Sequence, residues 1–207
     1  MARNALVLVD LQRDFCPGGA LAVASGDEVI DVANRVQRHF EVVVATQDWH
    51  PTDHRSFAAN HPGRKPYDVI DLDGVRQVLW PVHCVQDSAG AGFHDRLDRS
   101  RIAKVFAKGT DPMVDSYSGF WDNGRRTSTG LADYLGDQGV TKVYVLGLAT
   151  DYCVKLTAID GRREGFRVFV IEDGCRGVEL APGDSERALE DMRRAGVAVL
   201  ESGQIGA

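Results

Sequence analysis

Six short stretches, residues 5–9, 42–46, 102–107, 142–147, 167–171 and 197–200, are rich in Val, Ile, Leu and Ala, and each stops at a polar or turn-forming segment. Runs of that length suit strands buried on both faces, as in a parallel sheet covered by helices. The segments between them supply the helices. Residues 26–40 place Val29, Ile30, Ala33, Val36 and Phe40 at helical spacing. Residues 131–138 read as a helix ended by Gly139. Residues 154–163 lead out of a turn as a helix, and 185–195 carry Ala188, Leu189 and Met192 on one helical face before Gly196 stops it. Strand, helix, strand at this spacing is a βαβ unit. Its repetition predicts an α/β fold: a three-layer α/β/α single domain over 1–207 with a mainly parallel six-stranded sheet. A chain of 207 residues buries a sizeable core without covalent staples.

The charge and cysteine pattern exclude several function classes. A formal net charge of −6 with no long basic run argues against a nucleic-acid partner. No apolar run approaches membrane-spanning length, so no membrane partner is expected. The apolar run before Asp10 is too short for the core of a signal peptide. Cys16, Cys84, Cys153 and Cys175 are widely separated and form no CxxC pair, against a zinc ribbon, a thioredoxin-like motif or a disulfide framework. The expectation is a reduced, cytoplasmic protein whose oligomeric state, homo-oligomer or not, the sequence leaves open.

In open α/β sheets, sites form at the carboxyl ends of the strands. Three such ends carry chemistry. Asp10 ends the first run, and Lys108 ends the third. The fourth enters Gly147-Leu148-Ala149-Thr150-Asp151-Tyr152-Cys153-Val154, which reads as a strand, a tight turn and a helix start. There Thr150 or Asp151 is expected to cap the helix, and Cys153, in its first turn, is expected to have a lowered pKa and to act as a nucleophile. A buried structural cysteine is the alternative, as a turn cap is for Asp10. A carboxylate, an amine and a thiol at one sheet edge make a nucleophile with a base and a charge partner.

Residues 51–100 lack periodicity, and an irregular segment this long inside a compact domain usually serves function. At the end of the second strand, Asp48 and His50 are two apart, so in extended backbone they point the same way. With His83, and with His54 or Cys84 as further candidates, they suit a divalent ion such as zinc, iron or manganese. A polar loop with scattered histidines is the alternative. In the aromatic segment 111–129, Tyr117, Phe120 and Trp121 either wall a flat ring or form a small loop core.

Five motifs in order resemble one family. Asp10-Leu11-Gln12-Arg13-Asp14-Phe15-Cys16-Pro17-Gly18-Gly19, Asp48-Trp49-His50-Pro51, Trp80-Pro81-Val82-His83-Cys84, Lys108-Gly109 with Tyr117-Ser118-Gly119-Phe120, and the Cys153 segment are similar to those of nicotinamidases within the isochorismatase-like cysteine hydrolases. The resemblance runs from about residue 5 to residue 200. It implies a metal-containing cysteine amidohydrolase, active in NAD salvage, that converts nicotinamide, and pyrazinamide too, through a thioester on Cys153. Asp10 would be the base and Lys108 its charge partner. The amides of Ala149 and Cys153 would form an oxyanion hole behind a cis Leu148–Ala149 bond. Asp48, His50 and His83 would hold the metal, zinc before iron or manganese, in a loop region at about 47–100, with His54 an additional candidate. Phe15, Tyr117, Leu148 and Trp121 would contact substrate. Another isochorismatase-like amide hydrolase is the alternative, and relatives of that kind generally lack the metal motifs.

Overall fold

In the computed structural model, which describes residues 3–206, the expected runs form strands β1 (Arg3–Val9), β2 (Val42–Asp48), β5 (Ile102–Lys108), β6 (Val140–Leu148), β7 (Arg167–Arg176) and β8 (Ala198–Leu200). They build one six-stranded sheet in the order β5-β2-β1-β6-β7-β8, and every pairing in it is parallel. The helices are α1 (Glu28–Val36), α2 (Leu131–Asp137), α3 (Lys155–Arg163) and α4 (Asp184–Arg194). Residues 5–9 of β1 are completely buried, as a strand covered on both sides must be. α1 turns Val29, Ile30, Ala33 and Val36 inward and packs against β6 and β7.

From β1 the chain builds the sheet one way, through β2 to β5, and then returns to build the other half through β6, β7 and β8. The order therefore reverses between β1 and β6, where parallel sheets open a crevice at their carboxyl ends. Register fixes what meets there: Val9 pairs with Gly147, and Asp48 with Lys108. Gly147 has φ 133°, and a Cβ on it would lie 2.1 Å from the Val9 carbonyl oxygen, so only glycine lets β1 and β6 approach at this point.

One region departs from the sequence expectation. Residues 51–100 contain an antiparallel hairpin, β3 (Val69–Leu72) and β4 (Val75–Val78). Its two-residue loop is Asp73-Gly74, with φ 53° and 84°, the positive-φ pair that favours Asp-Gly in tight hairpins.

Candidate active site

Adjacent strand ends bring the three chemical groups together. Asp10 follows β1 with φ 49° and is completely buried; its Oδ1 accepts the Thr46 hydroxyl at 2.6 Å. Lys108, the last residue of β5, reaches across β2 toward it. Its Nζ lies 2.9 Å from Asp10 Oδ2, 2.9 Å from Asp48 Oδ1, 2.8 Å from the Ser116 carbonyl oxygen and 3.5 Å from Cys153 Sγ. One ammonium thus joins the thiol and its neighbouring carboxylate to the Asp48 cluster.

Cys153 sits on a wide π-helical turn, Thr150–Val154, that precedes α3. The amides of Tyr152 and Val154 both donate to the Ala149 carbonyl at 3.1 Å. Local widening of this kind recurs at functional sites because it re-aims a side chain without ending the helix. The Leu148–Ala149 peptide is cis. Neither Thr150 nor Asp151 caps α3, contrary to expectation; the N-cap position is Val154. The Asp151 side chain is used elsewhere. Its two oxygens accept the amides of Val178 and Glu179, each at 2.9 Å, and so tie the segment after β7 to the nucleophile turn.

The thiol differs from the sequence expectation as well. Burial pushes Cys153 well above an ordinary thiol, Lys108 opposes that, and the carboxylates of Asp10 and Asp48 add to it. Burial also raises Asp10, against the pull of Lys108. Burial disfavours the Lys108 charge too, yet Asp10 and Asp48 outweigh it and hold the amine protonated. The helix start favours an anion only weakly, whereas removal from water and two nearby carboxylates act directly on the sulfur. Burial thus favours the neutral forms of Cys153 and Asp10, and Lys108 favours their charged forms.

The metal candidates converge on Asp48 Oδ2, which lies 2.9 Å from His50 Nε2 and 3.3 Å from His83 Nε2. All three residues are buried, and their ligand atoms lie within 4.8 Å of one another. His50 Nδ1 donates to the Gly109 carbonyl and His83 Nδ1 to the Pro81 carbonyl, each at 2.8 Å. A carbonyl only accepts, so both imidazoles carry a proton on Nδ1; Asp48 Oδ2 also only accepts, so an Nε2 facing it either donates to it or shares a cation with it. An Nδ1–H held by a carbonyl is how metal-binding histidines are oriented. Gly109 has φ 63°, and a Cβ there would lie 2.4 Å from His50 Cε1. His54 stands beside His50, ring centroids 4.2 Å apart. Its Nδ1 pairs with Ser56 Oγ at 2.7 Å, and its buried Nε2 is unpaired. The donor set fits a divalent ion, with His54 and Asp115 forming a neighbouring group around the same His50. Cys84 is not among the ligating atoms; its amide donates to Asp14 Oδ2 at 2.7 Å.

A narrow cavity opens between Cys153 and this cluster, lined by Phe15, Leu21, Asp48, Trp80, His83, Asp115, Tyr117, Ala149, Tyr152 and Val178. Trp80, Tyr117 and Tyr152 meet edge to face, with centroids 4.8 to 6.3 Å apart. The Tyr117 hydroxyl accepts from Trp80 Nε1 and from Gln77 Nε2, both at 3.0 Å. Of the expected substrate contacts, Phe15 and Tyr117 line the cavity. Leu148 is buried in the core, and its neighbour Ala149 takes the place at the wall. Trp121 is elsewhere: its indole donates to Glu164 at 2.7 Å and lies under Arg125, on a separate surface hollow. Gln12, Gln77, Trp80, Asp115, Tyr152 and Val178 were not singled out as site residues by sequence. Asp115 and Tyr152 flank expected positions closely, while nothing local marks Val178.

The fold and the site together define a hydrolase of the isochorismatase type. The chain matches the isochorismatase domain family over residues 4–204 and belongs to it. It is 54% identical over 200 residues to the nicotinamidase of Escherichia coli K12, covering 95% of this chain and 93% of that protein. It superposes on a nicotinamidase/pyrazinamidase of Acinetobacter baumanii with a TM-score of 0.95 at 46% identity, covering 98% of each chain. With the pyrazinamidase of Pyrococcus horikoshii in complex with zinc, the TM-score is 0.78 at 38% identity over 96% of this chain and 99% of that one.

Proposed function

We propose that this chain is a nicotinamidase that hydrolyses nicotinamide, and pyrazinamide as well, to the acid and ammonia. The observation that carries the reading is the Lys108 ammonium, in contact with Asp10, Asp48 and Cys153 at once, beside a cavity whose far wall is a metal-type donor set. The whole chain acts as one catalytic unit, with residues 47–100 supplying much of the metal side. The four cysteines are all unpaired, which suits a cytoplasmic enzyme.

Asp10 accepts the Cys153 proton as sulfur attacks the carboxamide carbon. The amides of Ala149 and Cys153 receive the developing oxyanion. Asp10 then protonates the departing nitrogen, and ammonia leaves a thioester. Water, deprotonated by the same carboxylate, attacks the thioester, and the proton returns to sulfur. Lys108 stays charged throughout and keeps the carboxylate aimed at the thiol. Asp48, His50 and His83, with His54 adjacent, would hold a zinc ion, or iron or manganese in its place. When bound, such an ion supplies an electrophilic position for a ring nitrogen and so orients the amide over Cys153.

Two outcomes check this assignment. In Asp10→Asn, turnover should fall at least ~100-fold, the lower range for losing a general base. Ammonia release is measured beside a thermal melt, and near wild-type turnover in a folded Asp10→Asn protein would mean that the carboxylate is only a turn cap. Substrate choice checks the metal side. Benzamide has the same ring shape and amide but no ring nitrogen, so the metal-loaded enzyme should strongly prefer nicotinamide and pyrazinamide. His50→Ala or chelation should remove most of that preference. Equal kcat/KM for benzamide and nicotinamide in the loaded enzyme would refute the orienting role and favour a general amide hydrolase of this family.

A further inference from the structure

We propose that Gln12 is a positioning residue for the metal end of the site, its side-chain amide standing in for a missing strand residue beside Asp48. The β1–β2 ladder ends at the pair Leu8–Ala45, and β1 itself ends at Val9. β2 runs on to Asp48, paired with β5 on its other side. Past the ladder, the peptide groups of β2 that face β1 have no strand opposite them.

Gln12 fills that gap. Its Oε1 accepts the Asp48 amide at 2.8 Å, and its Nε2 donates to the Asp48 carbonyl at 2.8 Å. The second Nε2 hydrogen goes to the Ala91 carbonyl at 2.8 Å. Gln12 is completely buried. One acceptor and two donors are all engaged, and only a primary amide of this length offers them together. A carboxylate keeps the acceptor and loses both donors; a thioether loses all three.

The clamp holds the backbone of the residue on which two contact sets depend. Asp48 Oδ1 takes Lys108, and Oδ2 faces His50 and His83. A small displacement of the Asp48 backbone moves Oδ2 away from both imidazoles, so Gln12 sets how tightly the three ligands hold an ion. Because Gln12 touches neither Asp10 nor Cys153 through its side chain, it acts on metal affinity and not on the thiol.

This inference rests on the assignment of Asp48, His50 and His83 to the metal, and its test separates the two. Zinc affinity is measured by chelator competition for wild type, Gln12→Glu, Gln12→Met and His83→Ala, with melting temperature and Cys153 alkylation of the zinc-free proteins recorded beside it. The expected result is zinc binding weakened ~10- to 100-fold in both Gln12 variants, the usual effect of removing a partner that orients a ligand. Alkylation should match wild type, and saturating zinc should restore kcat. Gln12→Met adds no buried charge and decides the matter if Gln12→Glu does not fold. Wild-type zinc affinity in a folded Gln12 variant overturns the proposal. So does a parallel loss of melting temperature, alkylation and zinc affinity, which would make Gln12 a general structural residue. Zinc affinity unaffected by His83→Ala would instead overturn the metal assignment.

Discussion

Cys153→Ala should abolish amide hydrolysis and leave the fold standing. The sulfur faces both Lys108 and the cavity, and among the described residues no other cysteine lines that cavity. A nucleophile and its base act as a unit, so kcat is expected to fall by at least ~10⁴-fold. Removing the thiol deletes one atom and leaves the Asp10–Lys108 ion pair intact, so no buried charge loses its partner. The check is ammonia release set beside a thermal melt. Substantial turnover by a fully folded Cys153→Ala protein would rule out a thioester.

Lys108→Met should cost both activity and stability. Lys108 is fully buried and contacts Asp10 and Asp48, each at 2.9 Å. Without it, the buried Asp10 and Asp48 carboxylates lose the cation they share, and Asp48 keeps only its histidine contacts. Removing one partner of a buried pair typically costs about 3–5 kcal/mol. Urea unfolding of the metal-free protein should show this loss. Adding Asp10→Asn to Lys108→Met removes one of the stranded charges and should recover part of the stability with no recovery of turnover. A double variant no more stable than Lys108→Met would mean that the lysine is held by its stem and its Ser116 contact rather than by the carboxylates.

Much of the frame was legible because β1, β2 and β6 each hold an unbroken apolar run, residues 5–9, 42–45 and 143–146, that leads to Asp10, Asp48 and Gly147 at or beside the strand ends. Parallel strands buried on both faces leave that trace, and sites at their carboxyl ends follow from topology. The β3–β4 hairpin was read as irregular although Asp73-Gly74 signals a tight turn. Its flanks, Val69-Ile70-Asp71-Leu72 and Val75-Arg76-Gln77-Val78, are short and half exposed, so their alternation is brief. Trp121 was placed at the site as an aromatic close to Tyr117 and Phe120 in one loop, but proximity in a loop says nothing about direction. Its partner Glu164 lies at the end of α3, a contact that spacing cannot reveal. Cys153 shows the deeper limit. A helix start suggested an acidic thiol, yet the thiol is raised by burial and by carboxylates from two other strands. Electrostatics at a sheet edge sums over residues far apart in sequence, and only the register brings them together.

Hydrolysis of nicotinamide at Cys153 is measured most plainly as ammonia release by the purified, zinc-loaded protein, with isochorismate assayed in parallel. Equal amounts of ammonia and nicotinate are expected, with no turnover of isochorismate. No ammonia from nicotinamide, or hydrolysis of isochorismate in its place, would refute the assignment.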